Sequence, residues 1–161
     1  MAKTADSLVL LAFEQDDVSH LIAAADLYEG VLNGTSLVLG SLKRAEVENN
    51  VGSVHCLIAQ RSLDTAIAAV HLDKAEGFLK SALTARSRKV APLDWAVTST
   101  NLVIVDMARY GQTRQGVYLL AANLRLDDAT EEFQRQQHTA SLQWAHSVRE
   151  HLELLRKPPQ A

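Results

Sequence analysis

The residues able to do chemistry are few and widely spread. Six histidines and a single cysteine, Cys56, leave no thiolate zinc site. The Glu-x-x-His pair that di-iron four-helix bundles need does not occur. Asp16 and Asp17 lie four and three residues before His20, and His146 lies four before Glu150, so each set shares a helix face. Two ligands do not make a site, and surface pairs that support a helix are the expected role. Cys56 follows His55, which suggests a Cys/His nucleophile. Sequential neighbours on a helix, however, point about 100° apart and cannot exchange a proton directly. Cys56 therefore reads as a small buried hydrophobe, while His20 and His71 read as structural residues at helix starts. No Gly-rich phosphate loop, Gly-x-Ser-x-Gly elbow or His-Glu-x-x-His is present. The expectation is a chain that is not an enzyme, with no metal site and no cofactor.

The elements that must position any site are helices. Gly and Pro together number 10 of 161 residues, against 23 Ala and 24 Leu, the residues that lose least entropy in a helix. With 47% hydrophobic residues and a formal net charge of −3, the composition fits one globular domain and excludes a disordered chain. Residues 1–80 carry 6 basic and 11 acidic side chains. The only basic run, Arg86, Arg88 and Lys89, lacks interleaved aromatics and reads as a solvated helix end, so no nucleic-acid partner is expected. The longest early apolar run, Leu8 to Phe13, is too short to span a membrane, and a cytoplasmic protein is expected.

Boundary signals fall at Asn33-Gly34-Thr35-Ser36, at Ser62 or Asp64, at Ala91-Pro92 and at Gly111, with Pro158-Pro159 ending the last helix. They predict seven helices near 4–14, 17–33, 37–60, 64–88, 92–110, 115–136 and 139–156. The fold class is all-α.

Sliding the chain against itself reveals a repeat. At an offset of 51, 9 of the 41 positions from 20 to 60 are identical, among them Leu21 with Leu72, Ala24 with Ala75, Ala45 with Ala96 and Asn50 with Asn101. A third copy is fainter: Leu126-Asp127-Asp128-Ala129 echoes Leu72-Asp73-Lys74-Ala75 at an offset of 54 and then fades. Hairpins of long amphipathic helices cannot bury both apolar faces alone, so they are expected to stack. Ala45, Gly52, Ala75, Ala82 and Ala96 would let helices approach closely. Phe78, Leu79, Trp95, Leu102 and Phe133 would fill the layers between them.

Ala91-Pro92-Leu93-Asp94-Trp95-Ala96, followed by Thr98 and Asn101-Leu102, resembles the repeat-start phrase of bacterial tetratricopeptide-repeat proteins. Asn49-Asn50-Val51-Gly52 resembles the same helix in the preceding repeat, and Ala24, Tyr28 and Val31 resemble the family's second helix. The resemblance implies a solenoid of stacked antiparallel hairpins, about three across residues 17–133, in a single domain with a capping helix at 139–156. The period of 51 departs from the family's common repeat of about 34. The resemblance further implies a non-catalytic module that binds a peptide or helix of another protein in a concave groove. The other reading is a small-molecule or peptide-signal sensor that changes oligomeric state. In some relatives asparagines placed like Asn50 and Asn101 form a ladder on a bound backbone, which suits an amide that donates and accepts at once. The other account of these residues is an asparagine bonded to the neighbouring helix. In the same register Glu46, Asn49, Ser53, Val97, Thr100 and Ile104 would face the groove, and the acidic groups suggest a partner with positive charge. Leu142, Trp144, Ala145, Val148, Leu152 and Leu155 give the last helix an apolar stripe. That stripe either caps the stack or, left open, forms a homodimer.

Overall fold

The computed structural model describes residues 2–34 and 40–157, and every residue described in regular structure is helical. Seven helices follow in order: α1 (Ala2–Gln15), α2 (Val18–Asn33), α3 (Ser41–Arg61), α4 (Thr65–Ala85), α5 (Pro92–Thr113), α6 (Gly116–Arg135) and α7 (Thr139–Arg156). The predicted start of the third helix at 37, the cap hydroxyls Thr35 and Ser36, and the Pro158-Pro159 stop lie outside the described residues. No helix among the described residues is long and apolar enough to cross a membrane.

Side-chain chemistry sets most boundaries. Asp17 caps α2 by accepting from the Ser19 amide at 2.8 Å, and Asp64 accepts from the Ala66 and Ile67 amides at the start of α4. Pro92 stands in the first turn of α5, where its missing N–H costs nothing. The expected stop at Gly111 is not used. The helix runs on to Thr113 and ends at Arg114, whose left-handed backbone (φ 57°) performs the C-cap turn. α4 stops at Ala85, three residues before the predicted end at 88.

The chain divides into two compact units, residues 1–85 and 86–161. In unit 1, α2 packs on α1 and α3, and α3 packs most extensively on α4. Leu21, Ala24, Tyr28, Val51 and Val54 are buried there. Close approach of α3 and α4 depends on Gly52: a Cβ at that position would stand 2.8 Å from Leu79 Cγ and 3.1 Å from the Ala75 carbonyl. In unit 2, α5 packs on α6, and α7 packs on both. Ala145, Val148 and Leu152 are buried, and Leu142, Trp144 and Leu155 pack against the same core. The last helix therefore caps unit 2, and its covered stripe gives no ground for a homodimer through that face.

The third copy of the repeat does not fade in burial. Ala68, Leu72, Ala75 and Leu79 of α4 correspond at an offset of 54 to Ala122, Leu126, Ala129 and Phe133 of α6, and all eight are at most 2% exposed. A helix face selects for volume and apolarity rather than identity, so Phe133 replaces Leu79.

Candidate functional site

Unit 1 opens a cleft of about 340 Å³ between α1, α2 and α3. Val9 and Leu10 of α1 and Val54 and Leu57 of α3 make it largely apolar. Asp6 of α1, Tyr28 of α2 and Asn50 and Ser53 of α3 supply its polar end. These groups are already organised. The Tyr28 hydroxyl donates to the Asp6 carboxylate, and the Asn50 amide bonds the same hydroxyl. Burial, and then the bond to Asp6, push the Tyr28 hydroxyl far above its ordinary range, so it stays a neutral donor.

Of the expected groove residues, Asn50 and Ser53 line this cleft. Glu46 stands one turn earlier on α3, half-buried and paired with Lys43 at 2.7 Å. Asn49 does not face the cleft. It is buried, its amide donates to Asn50 Oδ1 at 3.3 Å, and its carbonyl accepts from Ser53. In unit 2, Thr100 is also turned inward, wholly buried with its hydroxyl on the Ala96 carbonyl at 2.9 Å. Val97 and Ile104 pack against that unit's core, and Asn101 is half-buried. One residue along a helix rotates a side chain by about 100°, which is the whole difference between Asn49 and Asn50. The sequence reading missed Asp6, Val9 and Leu10, because α1 precedes the repeat that organised that reading, while Tyr28, Val54 and Leu57 lie inside the repeat but are not among the residues expected to face the groove.

A second polar assembly, also unforeseen, crosses unit 1 from α2 through α3 to α4. His55 is 2% exposed; its Nε2 lies 2.9 Å from Glu29 Oε1 and its Nδ1 lies 2.9 Å from His71 Nδ1. Lys74 donates to the same Glu29 oxygen at 3.1 Å, and the Phe78 ring stacks on His55 at 5.9 Å between centroids. His71 sits well inside α4 rather than at a helix start, whereas His20 does stand near the start of α2, beside Gln15. Burial pushes both imidazoles below their ordinary range, most directly at His55, where the Glu29 bond opposes the shift without reversing it. Burial alone would raise the Glu29 carboxyl, but hydrogen bonds from His55 and Lys74 outweigh it and hold that group below its usual value. Cys56, next along the helix, is buried and pushed up to about 12, which leaves it an unreactive thiol.

The basic run also differs from expectation. Arg86 is buried, with Nη1 donating to Thr98 at 3.1 Å. Arg88 reaches the buried Glu132 at 2.8 Å while lying 5.1 Å over the Trp95 ring. Gln136 and Arg88 hold the Glu132 carboxyl below its usual range. Among the described residues no group of three or more His, Cys, Asp or Glu side chains is placed to hold a metal ion. No family model, no curated protein and no solved structure matches the chain.

Proposed function

We propose that this chain is a non-catalytic, cytoplasmic protein-interaction module of tetratricopeptide-like build, and that a peptide or helix of a partner protein docks in the unit 1 cleft. The observation that carries the reading is the cleft itself, an open, largely apolar surface with organised polar groups at one end. Apolar walls supply affinity, and a few fixed polar groups supply orientation. Its openness favours a segment of a larger partner over an enclosed small molecule. Among the described residues Asp6 is the one charged side chain lining it, and residues 1–80 carry 11 acidic against 6 basic groups. The complementary segment therefore presents a lysine or arginine next to apolar side chains. Asn50 bonds the Tyr28 hydroxyl in this arrangement, so a docked backbone would reach the rest of its amide.

Panning a random-peptide display library on the full chain tests this. Enriched peptides should pair a basic residue with apolar neighbours. Their affinity should fall about tenfold or more for Asn50→Ala/Ser53→Ala, provided that variant melts like the wild type. Failure to enrich any sequence family, or binding indifferent to that double substitution, would remove the reading.

A further inference from the structure

The Glu29–His55–His71 chain has a proton arrangement dictated by its own geometry. Glu29 is ionised and only accepts, so His55 Nε2 must carry the hydrogen directed at it. Neutral His55 then presents a bare Nδ1, and the 2.9 Å contact exists only if His71 donates from its own Nδ1. A first added proton on His71 Nε2 keeps both bonds. On His55 Nδ1 it keeps them too, because neutral His71 in its Nε2–H form then accepts; a second proton cannot be held, because two N–H groups would then face each other across 2.9 Å.

The groups that face this chain are few. From α2 comes the Glu29 carboxylate, and from α4 come the His71 ring, the Lys74 ammonium and the Phe78 ring stacked on His55. Glu29 attracts an added proton, while Lys74 repels it from both imidazoles. The matched positions of the next hairpin carry different chemistry. His55 corresponds at an offset of 51 to Asp106, and His71 corresponds at an offset of 54 to Arg125. Those two residues form an ion pair between α5 and α6. The same inter-helix joint is thus built once from permanent charges and once from two neutral rings.

We propose that the Glu29–His55–His71 chain is a proton-operated joint: it ties α2, α3 and α4 together while at least one of the two rings is neutral, and it parts when both are protonated. α3 carries His55 between the cleft residues Val54 and Leu57, so parting the joint moves one wall of the cleft. The joint stands whether or not the cleft binds a partner, and only its bearing on binding rests on the function proposed above. Burial places the opening on the acid side of the ordinary histidine value of 6.5.

The test uses the full chain and its His55→Gln/His71→Gln variant, which keeps hydrogen-bonding amides at both positions but cannot take up a proton. Both retain the other four histidines. Between pH 7.5 and 5.5 the wild type should lose about 2–4 °C more of its melting temperature than the variant for each imidazole held tenfold below its free proton affinity. Equal pH dependence in the two chains overturns the proposal. Nitrogen-15 NMR of the wild-type imidazoles decides it independently, should the variant fail to fold. At pH 7.5 His55 should show the Nε2–H form and His71 the Nδ1–H form, and backbone signals of Ser53 and Val54 should shift as the second of the two imidazoles takes up its proton. The opposite tautomers, or titration without that shift, overturns it. Loss of library-peptide binding below pH 6 extends the joint to the cleft. Peptide binding unchanged by pH, with the NMR result intact, confines the joint to stability.

Discussion

The α3–α4 hairpin of unit 1 and the α5–α6 hairpin of unit 2 are two solutions to one packing problem. Their cores agree at four matched pairs, Ala45 with Ala96, Val54 with Val105, Leu72 with Leu126 and Ala75 with Ala129, every one at most 3% exposed. Their polar joints do not agree. His55 and His71 hold the first hairpin, where Asp106 and Arg125 hold the second. The apolar layer tolerates only small changes of volume, whereas the polar joint needs only a donor facing an acceptor, and many chemistries meet that demand. The difference teaches where function has room to enter a repeat.

The largest expected effect tests whether the two cores are equivalent. Leu79→Ala and Phe133→Ala should each cost about 3–4 kcal/mol, read by urea unfolding of the full chain. A loss below about 1 kcal/mol at either site would break the equivalence. Next in size is the ion pair: Asp106→Ala leaves Arg125 without its partner across the hairpin and should cost about 2 kcal/mol. Carboxylate–guanidinium pairs as a class do not titrate between pH 5.5 and 7.5, so that cost should be level across the range. Gly52→Ala should come third. Helix propensity favours alanine by about 1 kcal/mol, but the added methyl meets the buried Leu79 and a backbone carbonyl. Overpacking of about 2 kcal/mol should leave a net loss near 1. At the matched position Val103 is fully buried in the core cluster that also holds Phe133.

The smallest effect carries a sign. The folded-state values of His55 and His71 lie below their free value, so their share of stability is complete above pH 6.5 and is lost as pH falls below it. His55→Ala should therefore cost more at pH 7.5 than at pH 5.5, by about 1 kcal/mol. Glu29 is also depressed, but from 4.5, so its contribution persists to lower pH and is lost only in stronger acid. A titration with the reverse slope would show that the folded chain prefers charged imidazoles.

The helices were legible in the sequence because the apolar period, Asp64, Pro92 and the Ala/Leu content all point the same way. Gly111 misled because it is an exposed helical residue with open space around it, and a left-handed Arg114 does the turning instead. The third copy looked faint because identity is a poor measure of burial, as Leu79 and Phe133 show. On the cleft, the repeat pointed to Asn50 and Ser53 but placed Asn49 and Thr100 one helical step wrong. The His55–His71 contact joins residues 16 apart across a turn, and neither ring alone signals a partner. Its trace was present only in comparison, since the repeat sets the two histidines against an aspartate and an arginine.

Hydrogen exchange of the full chain at pH 7.5 and 5.5, corrected for intrinsic rates, tests the contrast most directly. The amides of α3 and α4 should lose protection on acidification while those of α5 and α6 keep theirs. Equal loss in both hairpins, or none in α3 and α4, would contradict it.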